Sequence, residues 1–360
     1  MNRALTMLLM LAPAALAAGA GEGVSLPVPA AVPAIPAAPE GSASAGTERL
    51  SDRVETVDFL DRLRTSFLVD APGVVLTYDL SYRLLGVTLF RLGEMRIEAM
   101  MGHSRDDPAG TPACLLDCRM SPPAAADPRA MLRDRFVLLA DATGRKTLVF
   151  AQLSDKAYRI LGGRPKRYLR LDVHDYRGAE PYTFRTNLIT GTSSARIGER
   201  PGRERPGESV MALLNLLADV QGSRHAAIDE ASSPRLFAHV DGEVRPFVVR
   251  TSRGDPPGEY PRELMDALRA DVTSAPEAKT HRGRLVAWVL PFADIARETG
   301  QPGLVDPARP SPVPVVPLAA DVELAVGTVR AALKHVAPAG GSPGGPAAAG
   351  AAEGRAERGP

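Results

Sequence analysis

Few side chains on this 360-residue chain are placed to do chemistry. Its six histidines (His103, His174, His225, His239, His281 and His335) are scattered, with no two at a metal-ligand spacing. There is no nucleophile elbow, no H-E-x-x-H helix, no glycine–lysine phosphate loop and no dinucleotide-binding glycine fingerprint. No cofactor, catalytic residue or metal ligand is assigned on these grounds. The best-spaced pair is Asp172 and His174 in Leu171-Asp172-Val173-His174-Asp175-Tyr176. In a strand they project from one face, about 6–7 Å apart. An imidazole beside a carboxylate can act as an acid–base couple, as in a hydrolase, or share a metal. The plainer alternative is a solvent-facing row with Leu171 and Val173 turned inward, because two groups without a third convergent one do not make a site.

Two other clusters carry charge or sulfur. Arg164, Lys166, Arg167 and Arg170 gather around Tyr168, a set able to hold a phosphate or an anionic lipid headgroup, or to form an ordinary solvated hairpin tip. Arg196, Arg200, Arg203 and Arg205 are interleaved with Glu199, Glu204 and Glu208 and largely neutralise themselves. The only cysteines are Cys114 and Cys118. A disulfide between them requires residues 115–117 to turn, since an extended strand holds the two Cα atoms about 13 Å apart, beyond a bonding limit of about 7 Å. A bridge across a turn and two thiols along a strand both remain open. The spacing is not C-x-x-C, so neither redox nor metal chemistry is expected.

Composition sets the outer bounds. With 43 basic and 42 acidic residues the net charge is +1, which gives no field to draw in nucleic acid. Hydrophobic residues at 44% and charged residues at 24% exclude a wholly disordered or collagen-like chain. Residues 1–20 read as a secretory leader. Arg3 opens it, Leu5 to Ala17 is uncharged, and Ala15-Leu16-Ala17 forms a cleavage site before Ala18. The apolar run holds Pro13 and is shorter than the roughly 18–20 residues that span a bilayer. No cysteine stands at the cleavage site to be acylated. The expected product is exported, periplasmic or secreted, and not membrane-spanning once the leader is removed. Residues 21–46, with five prolines among Ala, Gly and Ser, read as a disordered linker, and residues 337–360 as a disordered Gly/Ala/Pro tail.

Between these lies a single globular unit over residues 47–336. A helix is expected over 48–67, from Leu50, Val54, Val57, Leu60 and Phe67. The period then changes to two: Leu76, Tyr78, Leu80, Tyr82 and Leu84 alternate with polar residues, as do Met95, Ile97, Ala99 and Met101. Gly93 falls where the parity breaks, a position for a bulge. Further strands are expected at 135–139 and 146–152 around the turn 141–144, and at 157–161, 169–173, 182–186, 285–290 and 322–326. Another pair, 236–240 and 244–249, is joined by Asp241-Gly242. Helices are expected over 209–221, apolar nearly all round, and over 262–272 after Pro261. So many short strands with few helices predict a mainly β fold, a curled antiparallel sheet forming a half-barrel or open barrel. The rows carrying Tyr78, Tyr82, Met95, Met101, Phe184 and Trp288 either line a cavity or fill a core, which periodicity does not distinguish.

This arrangement resembles a known family. The resemblance is carried by the strand Leu76-Thr77-Tyr78-Asp79-Leu80-Ser81-Tyr82, the second strand ending Arg96-Ile97-Glu98, and Arg145-Lys146-Thr147-Leu148-Val149-Phe150. It continues in the apolar helix after Pro206-Gly207-Glu208-Ser209 and the closing stretch from Pro317 to Arg330. The family is one of exported bacterial β-proteins known only as a domain of unknown function. Its apparent shape is similar to the periplasmic half-barrel lipoprotein carriers LolA and LolB. The resemblance covers about Gly73 to Leu333, and residues 254–314 depart from it like an insertion. It implies a non-enzymatic protein that buries a lipid or other hydrophobic small molecule, with the helices near Ser209 and Arg262 as movable covers. The alternative is an envelope assembly or interaction scaffold with a filled core and protein partners.

Overall fold

Apolar side chains at every second position dictate strands, and the computed structural model joins fifteen of them into one antiparallel sheet. It describes residues 59–70, 73–105, 107, 109–123, 132–144, 146–158, 166–177, 182–197, 210–222, 235–240, 243–274, 284–305, 311–323 and 327–339. The leader, the linker, the start of the expected 48–67 helix, Arg164 and nearly all of the tail lie outside these residues. A short strand β1 (Phe67–Val69) pairs with β3 off the main path. One meander then runs β2 (Val74–Leu84), β3 (Val87–Ser104), β4 (Pro112–Ser121), β5 (Leu132–Asp141), β6 (Thr147–Tyr158), β7 (Lys166–Asp175), β8 (Tyr182–Asn187) and β9 (Thr192–Ile197). A second runs β10 (Arg235–Val240), β11 (Glu243–Gly254), β12 (Ala267–Ser274), β13 (Arg284–Pro291), β14 (Val315–Glu323) and β15 (Thr328–Pro338). The meanders are stitched together by β15 on β2, from Thr328 opposite Arg83 to Pro338 opposite Val74. The path ends on β9 and β10, so the sheet is not closed.

Curling is visible in what the helices reach. Helix α1 spans 59–65, α2 is Val210–Gly222 and α3 is Phe292–Glu298. Helix α2 packs on β10, β12, β13 and β14, yet its Asn215 also donates to the Thr143 carbonyl at the β5–β6 turn. In a flat sheet β12 and β5 would stand about 34 Å apart, at roughly 4.8 Å per strand. One helix bridges them only because the sheet wraps around it. Leu213, Leu214, Leu217 and Val220 are buried in the same core as Leu76, Tyr78, Phe136, Phe150, Phe247 and Val272. The outer face carries a second core, where Leu60 of α1 and Phe67 of β1 cover Met100, Leu115, Val137, Ala151, Leu171 and Val173. The middle strands are therefore buried on both faces.

Several expectations require correction. The segment 262–272 is not a helix: Pro261 leads into a single 3₁₀ turn at Arg262–Leu264, and β12 follows. Asp266, at φ +56°, ends the turn, after which buried Leu268, Ala270 and Val272 alternate with Arg269, Asp271 and Thr273. The helix expected to reach residue 67 stops at 65, and Phe67 enters β1. Where one strand is expected at 322–326, two are present: β14 begins earlier, at Val315, and β15 takes in Ala337 and Pro338 from the expected tail. Pro317 is accommodated within β14 because the register skips Leu318, whose carbonyl accepts from the Tyr260 hydroxyl at 2.9 Å. Residues 254–314 supply two strands inside the sheet, β12 and β13. At Gly93 the expected bulge is present: Leu80 faces Gly93 and Ser81 faces Arg91, leaving Leu92 unpaired, with Gly93 at φ +140°. No helix among the described residues is long and apolar enough to cross a membrane.

Candidate functional site

One end of the curled sheet frames a half-open cavity of about 460 Å³. Met101 and Cys114 form one wall, residues 142–144 of the β5–β6 turn and Asn215 of α2 a second, and the segments around α3 the third. The turn is set by Asp141, whose carboxylate accepts from the Thr143 hydroxyl and the Lys146 amide, and by Gly144 at φ +67°. Helix α3 begins after Pro291, buries Phe292, Ile295 and Ala296, and is tied to the next segment by the Phe292 amide on the Pro314 carbonyl at 3.0 Å. Most of the lining is carbon, from Met101, Phe292, Val305 and the prolines 291, 312 and 314. Burial, and then Asp141, pushes the Cys114 thiol up to about 12, so it is present as a small apolar group. The Asn215–Thr143 hydrogen bond, 2.5 Å long, fastens α2 across this end.

Farther along the same strands the inner face turns polar. Sheet register lines up three rungs across β5 to β8: Leu138–Phe150–His174–Thr183, Phe136–Gln152–Asp172–Arg185, and Asp134–Ser154–Arg170–Asn187. Asp134, Gln152, Ser154, Arg170, Asp172 and His174 are all buried. Arg170 and Arg185 donate through their Nε atoms to opposite oxygens of the Asp172 carboxylate, at 2.5 and 2.7 Å. The His174 ring stacks between Phe150 and Tyr176, with Nδ1 3.4 Å from the Thr183 hydroxyl. Burial, and then the positive charges of Arg185 and Arg170, lower its pKa to about 4. Neither amide atom of Gln152, nor the Ser154 hydroxyl, has a hydrogen-bond partner among the described residues.

The acid–base reading of Asp172 and His174 does not hold in this geometry. Asp172 spends both oxygens on guanidinium groups instead of orienting the imidazole. Nor is the row solvent-facing, because β7 is buried on both sides. Arg170 is likewise no part of an exposed anion site, being 5% exposed and engaged with Asp172. Lys166 and Arg167 belong to β7 by backbone, and Arg164 lies outside the described residues. Cys114 and Cys118 sit four residues apart in β4 and are free thiols, so the disulfide option is excluded by the strand itself. Of the six expected cavity residues only Met101 lines the cavity. Tyr78 and Met95 are buried in the inner core, and Tyr82 stacks on Phe90 at 5.0 Å. Phe184 faces the outer core with Leu171 and Val173 because its register partner is Val173. Trp288 packs at the margin of the inner core with the Arg269 guanidinium 5.9 Å from its ring centroid.

No group of three or more His, Cys, Asp or Glu among the described residues is arranged to hold a metal. Sequence reasoning missed Asn215, Thr143 and Phe292 at the cavity, and Gln152 and Ser154 on the polar rungs. A faint signal was present in the acid–arginine pairs two residues apart, Arg96/Glu98, Asp117/Arg119 and Arg170/Asp172, each of which bonds along its strand.

No family model matches this chain, and neither does any curated protein. Among solved structures it is similar to the β-barrel-like protein of domain of unknown function DUF1849 from Brucella abortus, at 9% identity and a TM-score of 0.41, over 75% of this chain and 99% of that one. Nothing about activity follows from that likeness.

Proposed function

We propose that this is an exported protein that takes up a hydrophobic ligand of the acyl-chain class inside its curled sheet, by reversible burial rather than covalent chemistry. The observation that carries the reading is the carbon-lined cavity of about 460 Å³, within the range typical of small-molecule sites. Each methylene transferred from water into such a space is worth about 0.8 kcal/mol. The leader read in residues 1–20 supports export, and the resemblance in apparent shape to LolA and LolB supports a carrier role. Entry requires a cover that moves. Helix α2 is that cover, and its Asn215–Thr143 hydrogen bond fastens it to the far wall.

The test is native mass spectrometry, with organic extraction, of the protein purified from the periplasm of its host. A stoichiometric lipid-sized adduct that is lost on denaturation is the expected result. A bare protein mass, unchanged after incubation with host lipid extract, overturns the reading and turns attention to protein partners.

A further inference from the structure

The β2–β3 hairpin runs out beyond the body of the sheet. Every residue from Leu85 to Arg91 is exposed, so both faces of the β3 end of this hairpin lie in solvent, while β15 flanks β2 only as far as Arg83. Among the described residues five large apolar side chains are exposed, and four of them are here: Leu85 at 95%, Val87 at 63%, Leu89 at 53% and Phe90 at 46%. Isolated exposed leucines are ordinary, whereas a contiguous apolar tip marks a contact surface.

The turn itself adds a second observation. Leu84 faces Val87 across a two-residue connection, in which Leu85 has φ +49° and Gly86 φ +83°. Such a turn favours Asn-Gly or Gly-Gly, because a branched apolar residue at positive φ is disfavoured and gains nothing from solvent. A leucine there is unfavourable for the hairpin twice over, in conformation and in exposure. Local stability does not account for it; contact with something apolar does.

We infer that this hairpin docks the protein on an anionic lipid bilayer, with Leu85, Val87 and Leu89 entering the headgroup–acyl boundary. A protein surface matches one face of a ribbon, whereas a lipid interface receives a wedge that is apolar on both faces. From the tip to Arg91 the exposed end of β3 is about 15 Å long at roughly 3.3 Å per residue, enough for the 5–10 Å depth at which interfacial segments settle. The stacked rings of Tyr82 and Phe90 stand at the inner end of that length, the level where aromatic side chains favour the interface. Charge agrees: there is no acidic residue from Arg83 to Arg91, and Arg83, bonded to the Gly86 carbonyl at the tip, keeps its positive charge there. The acidic groups begin at Asp79 and Glu94, where Arg91 and Lys334 pair with them. This inference rests on the hairpin alone and stands whether or not the cavity holds a ligand.

The test uses the full chain and vesicles of phosphatidylethanolamine and phosphatidylglycerol in a 3:1 ratio, with binding read by flotation. The wild type is compared with the variant Leu85→Asn/Val87→Thr/Leu89→Thr, whose changes all fall on exposed side chains and whose shared termini cancel. The wild type floats with the vesicles, and the variant binds at least tenfold more weakly while keeping its circular dichroism spectrum. Leu85→Asn alone also raises the melting temperature, since asparagine tolerates that backbone conformation. A wild type that stays with the buffer, or a triple variant that floats equally well, overturns the inference; the first outcome makes the tip a protein-docking element instead.

Discussion

Lowering the pH should destabilise this protein through His174, by an amount that the structure sets. Its pKa is depressed to about 4, first by burial and then by Arg185 and Arg170, against about 6.5 in the unfolded chain. The unfolded state therefore binds a proton more readily between these values. Stability is fully present above pH 6.5 and is lost as pH falls toward 4. A gap of about 2.5 units corresponds to roughly 3 kcal/mol over the whole window, and to about 2 kcal/mol between pH 7.5 and 5. The perturbation is His174→Phe, which keeps a ring between Phe150 and Tyr176 but cannot titrate. The assay is urea unfolding of wild type and variant at half-unit steps from pH 7.5 to 4.5. Subtraction removes the carboxylates, which act on both proteins alike. The wild type should lose about 2 kcal/mol more than the variant by pH 5. Parallel curves, or a histidine that titrates near 6.5 in the folded protein, would refute the reasoning and reopen the acid–base reading of Asp172 and His174.

Asp117 is buried beneath α1, and although burial alone would raise its pKa, hydrogen bonds from Arg135 and Arg119 hold it below the usual carboxylate range. Asp117→Ala leaves Arg135 with Asp61 alone and should cost about 3–5 kcal/mol in urea unfolding, whereas Asp117→Leu/Arg135→Met should lie within about 1–2 kcal/mol of wild type. Cys114 and Cys118 should resist thiol reagents in the native protein and react as two thiols after denaturation without reductant; a single reagent-resistant bridge would contradict their place in β4. Ala293→Trp, placed in the cavity wall, should abolish uptake of a fluorescent fatty acid at unchanged circular dichroism, and undiminished uptake would locate the ligand elsewhere. Asn215→Ala removes the bond that holds α2 to the β5–β6 turn and should speed release of the same probe severalfold in a stopped-flow chase.

The strands were legible in the sequence wherever polarity alternated cleanly, as in β2, where Leu76, Tyr78 and Leu80 are buried between half-exposed Thr77, Asp79 and Ser81. They were least legible where alanine stood at an inward position. In β12 the row Leu268, Ala270, Val272 is continuous, but without counting Ala270 the remaining apolar residues fit a helical period. The polar rungs were obscured for the opposite reason. Asp172 and His174 alternate with Leu171 and Val173 as any half-exposed strand would, and only tertiary structure shows that α1 and β1 cover one face while the wrapped sheet buries the other. The cavity was legible in one residue of six, because its walls come from turns and loops around α3 that carry no periodic signal.

The pairing of β15 with β2 has a consequence for how the molecule comes into being. The last described strand lies in the middle of the sheet, next to one of the first, and the Ala339 amide reaches the Gly73 carbonyl at 2.8 Å. Until residues 328–338 have emerged, the described strands of the two meanders share no pairing. Contacts this distant along the chain slow folding. A half-made chain exposes two unpaired strands, β2 and β14, at what will become the centre. Completion is thus a joining event instead of a gradual lengthening, and it leaves β2 and β15 side by side. A circular permutant that links them and opens the chain between β9 and β10 would turn the same architecture into a single uninterrupted meander.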